Sequence, residues 1–198
     1  RVNPDNNLTW QRNTNGIASS GNAKAFVDHF NYLSIGQPDD LISPNMTIGI
    51  ADSLWVSFRA AYKGQPNASF EILQVDISTN CGNTFTSVYN STADLDFAEP
   101  PVVSSTSWSP SAISQWKRKS INLSSFVTAK SLLVRFRMIN QKGNNFYLDD
   151  IKIDKKIFQN IDAGIVDVIN PQAKMCVNSI APAVVIKNFG KNILTSAN

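Results

Sequence analysis

Charge is scarce in this chain. Asp, Glu, Lys and Arg make up 17% of its 198 residues, where a quarter is usual. Asn, Ser and Thr fill the deficit. These residues favour turns and caps over helix interiors, so the profile points to a rigid β-rich extracellular module rather than a helical cytosolic enzyme. Histidine is scarcer still, with His29 alone. One histidine excludes an HExxH zinc site, and a Ser–His–acid triad would have to be built on His29, next to Asp28. Glutamate occurs only at Glu71 and Glu99, so a glycosidase pair would need scattered aspartates. There is no Gly-x-Ser-x-Gly elbow either. The expectation is a non-catalytic chain.

Long apolar runs are missing as well, so no membrane span is expected. The start lacks the basic and apolar regions of a signal peptide. The opening "RVNPDN" and the close "ILTSAN" read as an excerpt of a longer polypeptide. Two cysteines, Cys81 and Cys176, match neither a zinc pattern nor a CxxC motif. Pairing with each other, pairing with cysteines outside this excerpt and free thiols are the alternatives, and their placement in different domains argues against the first. The net charge is +3. Its one tight basic cluster, Lys117-Arg118-Lys119, is too short for nucleic acid and reads as a solvated strand face or loop.

What the chain has is short alternating runs between turn clusters. "SLWVSFRAAY" sets Leu54, Val56 and Phe58 against Trp55, Ser57 and Arg59. "SFEILQVDIST" puts Glu71 on the apolar face with Leu73, Val75 and Ile77. "SLLVRFRMIN" sets Leu133, Arg135 and Arg137 against Leu132, Val134, Phe136 and Met138. "AKAFVDHFNYL" reads equally as a helix or as a strand plus turn. "NQKGNNFYLDDIKI" runs from a turn into a strand carrying Asp149 and Asp150, which alternation places on opposite faces. Residues 91–115 form a long Ser/Pro/Ala-rich excursion punctuated by Leu95, Phe97, Val102, Trp108 and Ile113. Hydrophobic residues at 42% suffice for a core without staples. Many short strands with almost no helix predict an all-β sandwich or barrel. After residues 155–160, two more strand-like runs follow, too few to close a domain of their own.

Taken in order, "DDLISPNM", "LWVSFRAAY", "DISTNCGNTFTSVYN", "SQWKRKSINLSSF" and "LLVRFRMINQKGNNFYLDDIKI" resemble a jelly-roll module of secreted Bacteroidota proteins. The module is similar to cleaved-adhesin or choice-of-anchor jelly rolls and, more distantly, to MAM domains. The resemblance implies a jelly-roll β-sandwich over residues 1–156 with its usual first strand missing, which would leave a sheet edge open to a partner strand. The tail, 157–198, resembles the truncated start of a CARDB-like immunoglobulin-type domain.

The resemblance further implies a secreted or cell-surface setting, including type IX export. The work expected is adhesion or accessory binding to a polysaccharide, a protein surface or other domains of the same polypeptide. Accessory domains of secreted metallopeptidases and carbohydrate-binding modules are the alternatives. Extracellular jelly rolls often hold a structural calcium ion. Asp149 stands at the acidic place of their "LD-x-I" ending with Asp150 beside it, and Asp5, Asp28, Asp39 or Asp40 are companions. The other account is a carboxylate that accepts backbone N–H bonds. Sugar sites on such folds use exposed aromatics, which makes Trp55, Trp108 and Trp116 candidates. Against this stands a purely structural role, pinning the excursion to the sandwich. Sequons at Asn7, Asn45, Asn67, Asn90 and Asn122 are as frequent as the composition alone would produce, and "DSL" at Asp52–Leu54 resembles a short Bacteroidota O-glycosylation motif.

Overall fold

The computed structural model describes residues 1–171 and 179–196, so Cys176 lies outside the described residues. The chain divides into two compact units, Arg1–Lys155 and Lys156–Asn198.

In the first unit, β1 (Gln11–Asn13), β2 (Lys24–Val27), β3 (Pro38–Ile42), β4 (Met46–Thr47), β5 (Ser53–Gly64), β6 (Ile72–Ser78) and β7 (Thr86–Thr92) come first. Then follow a short helix α1 (Ala93–Phe97), β8 (Ala98–Val103), β9 (Lys117–Asn122), β10 (Ser131–Ile139) and β11 (Phe146–Lys156). They form two sheets. One runs β1-β2-β11-β5-β8, with β9 also on β5; the other runs β3-β10-β6-β7, with β4 also on β10. This is an all-β sandwich. The ambiguous "AKAFVDHFNYL" resolves as the strand β2. The excursion is more regular than its composition predicts: β7, α1 and β8 occupy 86–103, and the prolines Pro100 and Pro101 sit in β8. Proline lacks the N–H that a central strand needs, and β8 lies at the end of its sheet.

Alternation builds the core. Leu54, Val56, Phe58, Ala60 and Tyr62 of β5 face Leu73, Val75 and Ile77 of β6 and Leu132, Val134, Phe136 and Met138 of β10, all buried in one cluster. Phe58 and Phe136 meet edge to face across the sheets at 5.2 Å. Burying each such side chain contributes about 1.5–3 kcal/mol before chain entropy is counted.

Outside the second sheet, opposite charges stand across the ladder. Arg135 is register-paired with Asp76 and donates to its Oδ2 at 2.6 and 2.9 Å. Arg137 is opposite Asp40 and binds it with both fork nitrogens at 2.7 and 2.8 Å.

The turn before β11 is a buried polar knot. Asn140, Asn144 and Asn145 are all inaccessible. The Asn140 amide donates to the carbonyls of Tyr32 and Ser34, and Asn144 Oδ1 accepts the Trp108 N–H. Asn145 and the Tyr147 hydroxyl both donate to the Trp108 carbonyl. The residues that made this segment look like a loop are therefore the ones that hold three loops together. β2 pairs β11 only over Phe146–Leu148. A groove of about 400 Å³, lined among others by Trp10, Ala25, Leu41, Leu148 and Ile151, opens where that pairing stops.

In the second unit, β12 (Ala163–Asn170) pairs antiparallel with β13 (Ala183–Asn188).

Candidate functional site

The outward face of β5 carries Trp55, Ser57, Arg59 and Ala61. Across the ladder on β9 stand Asn122 opposite Trp55, Ser120 opposite Ser57 and Arg118 opposite Arg59. The Ala61 end of this face is roofed. Ala61, Trp116 and Tyr147 form a small buried cluster with Phe26 and Trp108 against it. The Trp116 indole N–H donates to the Ile17 carbonyl at 3.1 Å, and Trp108 packs edge-on against Tyr147 at 5.9 Å. The Trp55 end is not roofed. Trp55 keeps 37% of its surface, against 4% for Trp116. As an exposed aromatic platform the sequence offered three tryptophans; Trp116 is corrected to a structural role, because its ring is enclosed. Trp108 also serves to pin the excursion. Of the three, Trp55 is the most exposed, Trp108 is half-buried and Trp116 is enclosed.

Where the roof ends, a hollow of about 290 Å³ opens, lined by Ser20, Ser57, Arg59, Arg118, Asp150 and Lys152. Ser57 is buried. Arg118 and Lys152 are exposed, and their side chains form no hydrogen bond or ion pair with a described residue. Arg59 has one acid near it, Asp150, at 4.0 Å. The basic triplet reads differently once it is a strand. Lys117 pairs with Glu99 and Lys119 with Asp96 at 2.9 Å. Arg118, on the other face, is left with Arg59.

Asp150 lines the hollow, with Asp149 next to it in the chain. The expectation that alternation sends them to opposite faces fails, because Asp150 has φ 51°, a left-handed conformation that aspartate tolerates better than most residues. Both carboxylates therefore reach the same loop. Asp149 Oδ2 accepts the N–H groups of Ser19 and Ser20 at 2.9 and 3.2 Å, and its Oδ1 accepts the Asp150 N–H. Asp150 accepts the Ser19 hydroxyl at 2.7 Å and the Ser20 hydroxyl. The Ser20 and Ser19 hydroxyls, with Arg59 and Lys152 nearby, hold the Asp150 carboxyl below its usual pKa against the opposing effect of burial. All four oxygens face donors, whereas calcium takes about six to eight oxygen ligands. Among the described residues no three His, Cys, Asp or Glu side chains form a group that could hold a metal. As placed, the pair acts as a clamp on the 19–20 loop.

The expected companions lie elsewhere. Asp5 accepts the Tyr32 hydroxyl, Asp28 caps Asn31 and Asp40 holds Arg137. Asp39 is 1% exposed and neither of its oxygens has a hydrogen-bond partner. Burial raises its pKa, opposed by the nearby Thr9 hydroxyl and His29.

The sole histidine is not available for chemistry. His29 Nδ1 lies 2.7 Å from Glu71 Oε2, and both side chains are fully buried. Glu71 also accepts the backbone N–H groups of Gln141 and Gly143. A glutamate on the apolar face of a strand was the signal for this anchor.

By sequence, no family model and no curated protein matches the chain. Solved structures do. The K2 cleaved adhesin domain of Lys-gingipain (Kgp) superposes with a TM-score of 0.55 at 20% identity, covering 76% of this chain and 85% of that one. The K1 domain of Lys-gingipain from Porphyromonas gingivalis W83 gives 0.53 at 20% identity, covering 77% and 87%. The K3 domain of the same protein gives 0.52 at 15%, again covering 77% and 87%. At these identities the likeness is one of fold, and in fold the chain is similar to cleaved adhesin domains.

Proposed function

We propose that the chain is a non-catalytic binding module of a larger exported protein, and that it holds an extended polysaccharide on the uncovered end of the β5–β9 face. The observation that carries this reading is Trp55, an exposed indole on a flat strand face beside a polar hollow, while Trp108 and Trp116 are spent on packing. An aromatic ring offers a sugar its apolar face, and the neighbouring amide and hydroxyls offer hydrogen bonds. The rigid ladder supplies preorganisation, so little ordering cost opposes binding. The fold likeness to adhesin domains agrees with work outside the cell, and no described helix is long and apolar enough to cross a membrane. The same surface would serve in an adhesin or beside the catalytic domain of a secreted peptidase. The second unit fits the opening strands of an immunoglobulin-like neighbour.

The test is binding of the chain to an array of polysaccharides, repeated with Trp55→Ala. Trp55 lies outside the buried cluster, so the variant should stay folded and bind its glycan roughly tenfold or more weakly. Glycan binding that is indifferent to Trp55 would move the site elsewhere.

A further inference from the structure

We infer that the hollow beside Trp55 takes an acidic group, so that the polysaccharide is an anionic one bearing carboxylates or sulfate esters. This deepens the proposed function and rests on it.

Like charges directly opposite on a ladder destabilise a sheet. The second sheet of this chain obeys that rule, with Arg135 opposite Asp76 and Arg137 opposite Asp40. The first breaks it, with Arg59 opposite Arg118. Lys152 enters the same hollow from β11. Three cations thus share one concavity with a single carboxylate, Asp150. Its oxygens are already engaged by Ser19 and Ser20, and it stands no closer than 4.0 Å to Arg59. Composition gives no reason for the excess, because the neighbours Lys117 and Lys119 each have an acid. A local rule broken without internal compensation is the mark of a site whose compensation is a ligand. Guanidinium groups match planar carboxylates and sulfates with paired N–H donors. Ser57 adds a hydroxyl to the lining. Trp55 and Arg59 lie four residues apart on one face, roughly 13 Å along the strand, a span that suits successive sugars of a chain rather than a lone ion.

The experiment uses the chain, three soluble polysaccharides (polygalacturonate, its fully methyl-esterified form and chondroitin sulfate) and poly-glutamate as a polyanion without sugar. The parent should bind one or both acids at least roughly tenfold more tightly than the ester, and this preference should shrink as salt rises. Arg118→Ser and Lys152→Ser should each erase most of the preference, weakening binding of the acids far more than binding of the ester. Arg118→Ser should not lower the melting temperature, because it removes a like-charge pair; a merely structural arginine would. Equal binding of acid and ester, lost in Trp55→Ala, overturns the anionic inference and leaves the polysaccharide reading standing. No binding of any of the three overturns the inference. Poly-glutamate held as tightly as polygalacturonate, and unaffected by Trp55→Ala, overturns it in favour of a general polyanion surface.

Discussion

Asp39 and Asp150 show how one side-chain type meets two fates. Asp150 is ringed by hydroxyl donors and cations, and its charged form is favoured. Asp39 is enclosed without a partner for either oxygen, and its neutral form is favoured. A carboxyl whose pKa is raised on folding binds its proton more tightly in the native state. Its contribution to stability is therefore complete below the unfolded value of about 3.9 and is lost as pH rises through the folded value. Asp39→Asn removes the ionisation and keeps the size of the side chain. The variant should be more stable than the parent at pH 7 by ~1–3 kcal/mol, with the gap closing towards pH 4. Urea titrations across that range measure it; a variant less stable at pH 7 would show that the ionised carboxylate is required. None of this was legible in "PDDLI", where the two aspartates look alike. Burial of one and pairing of the other follow from which side of β3 each occupies, and only the partner strand β10 settles that.

At the scale of elements, the loop between β1 and β2 is held by other elements rather than by itself. Asp149 and Asp150 grip it at Ser19 and Ser20, Trp116 grips it at Ile17, and Ile17 N–H donates to Pro110 at 2.8 Å. Replacing both aspartates by alanine should leave the sandwich folded while amide exchange at Ser19 and Ser20 rises by roughly tenfold or more. Unchanged exchange would mean that the bonds to Trp116 and Pro110 at Ile17 suffice to hold the loop. The strands themselves were largely legible. The alternation of β5, β6 and β10 gave the correct inner face, and even the outward set of Trp55, Ser57 and Arg59 stood in the sequence. What alternation could not give was the local break at Asp150, since a left-handed residue leaves no periodic trace. Nor could it give the pairing of β9 with β5, which brings Arg118 opposite Arg59 across about sixty residues of chain.

The whole first unit is assembled from partners distant in sequence. β2 pairs with β11, β3 with β10 and β5 with β9, so closing the sandwich means closing long loops before most contacts form. Folding of such a topology runs on the order of milliseconds to seconds. Stopped-flow refolding followed by tryptophan emission should find its main phase there, and a microsecond main phase would contradict this topology. The fold class was legible as a whole from composition and turn spacing. The site was not, because it depends on what the excursion covers and what it leaves bare.

That partial roof also sorts the chromophores. Trp10 and Trp116 are sealed at 2% and 4% exposure, while Trp55 keeps 37%. Sealed indoles emit towards the blue and resist dissolved quenchers; an indole on an open strand face does neither. The molecule thus carries its own optical reporter at the proposed contact point. Iodide should quench Trp55 most, the half-buried Trp108 less, and a glycan laid over the Trp55 ring should shield it, so occupancy can be read from native fluorescence with no dye attached.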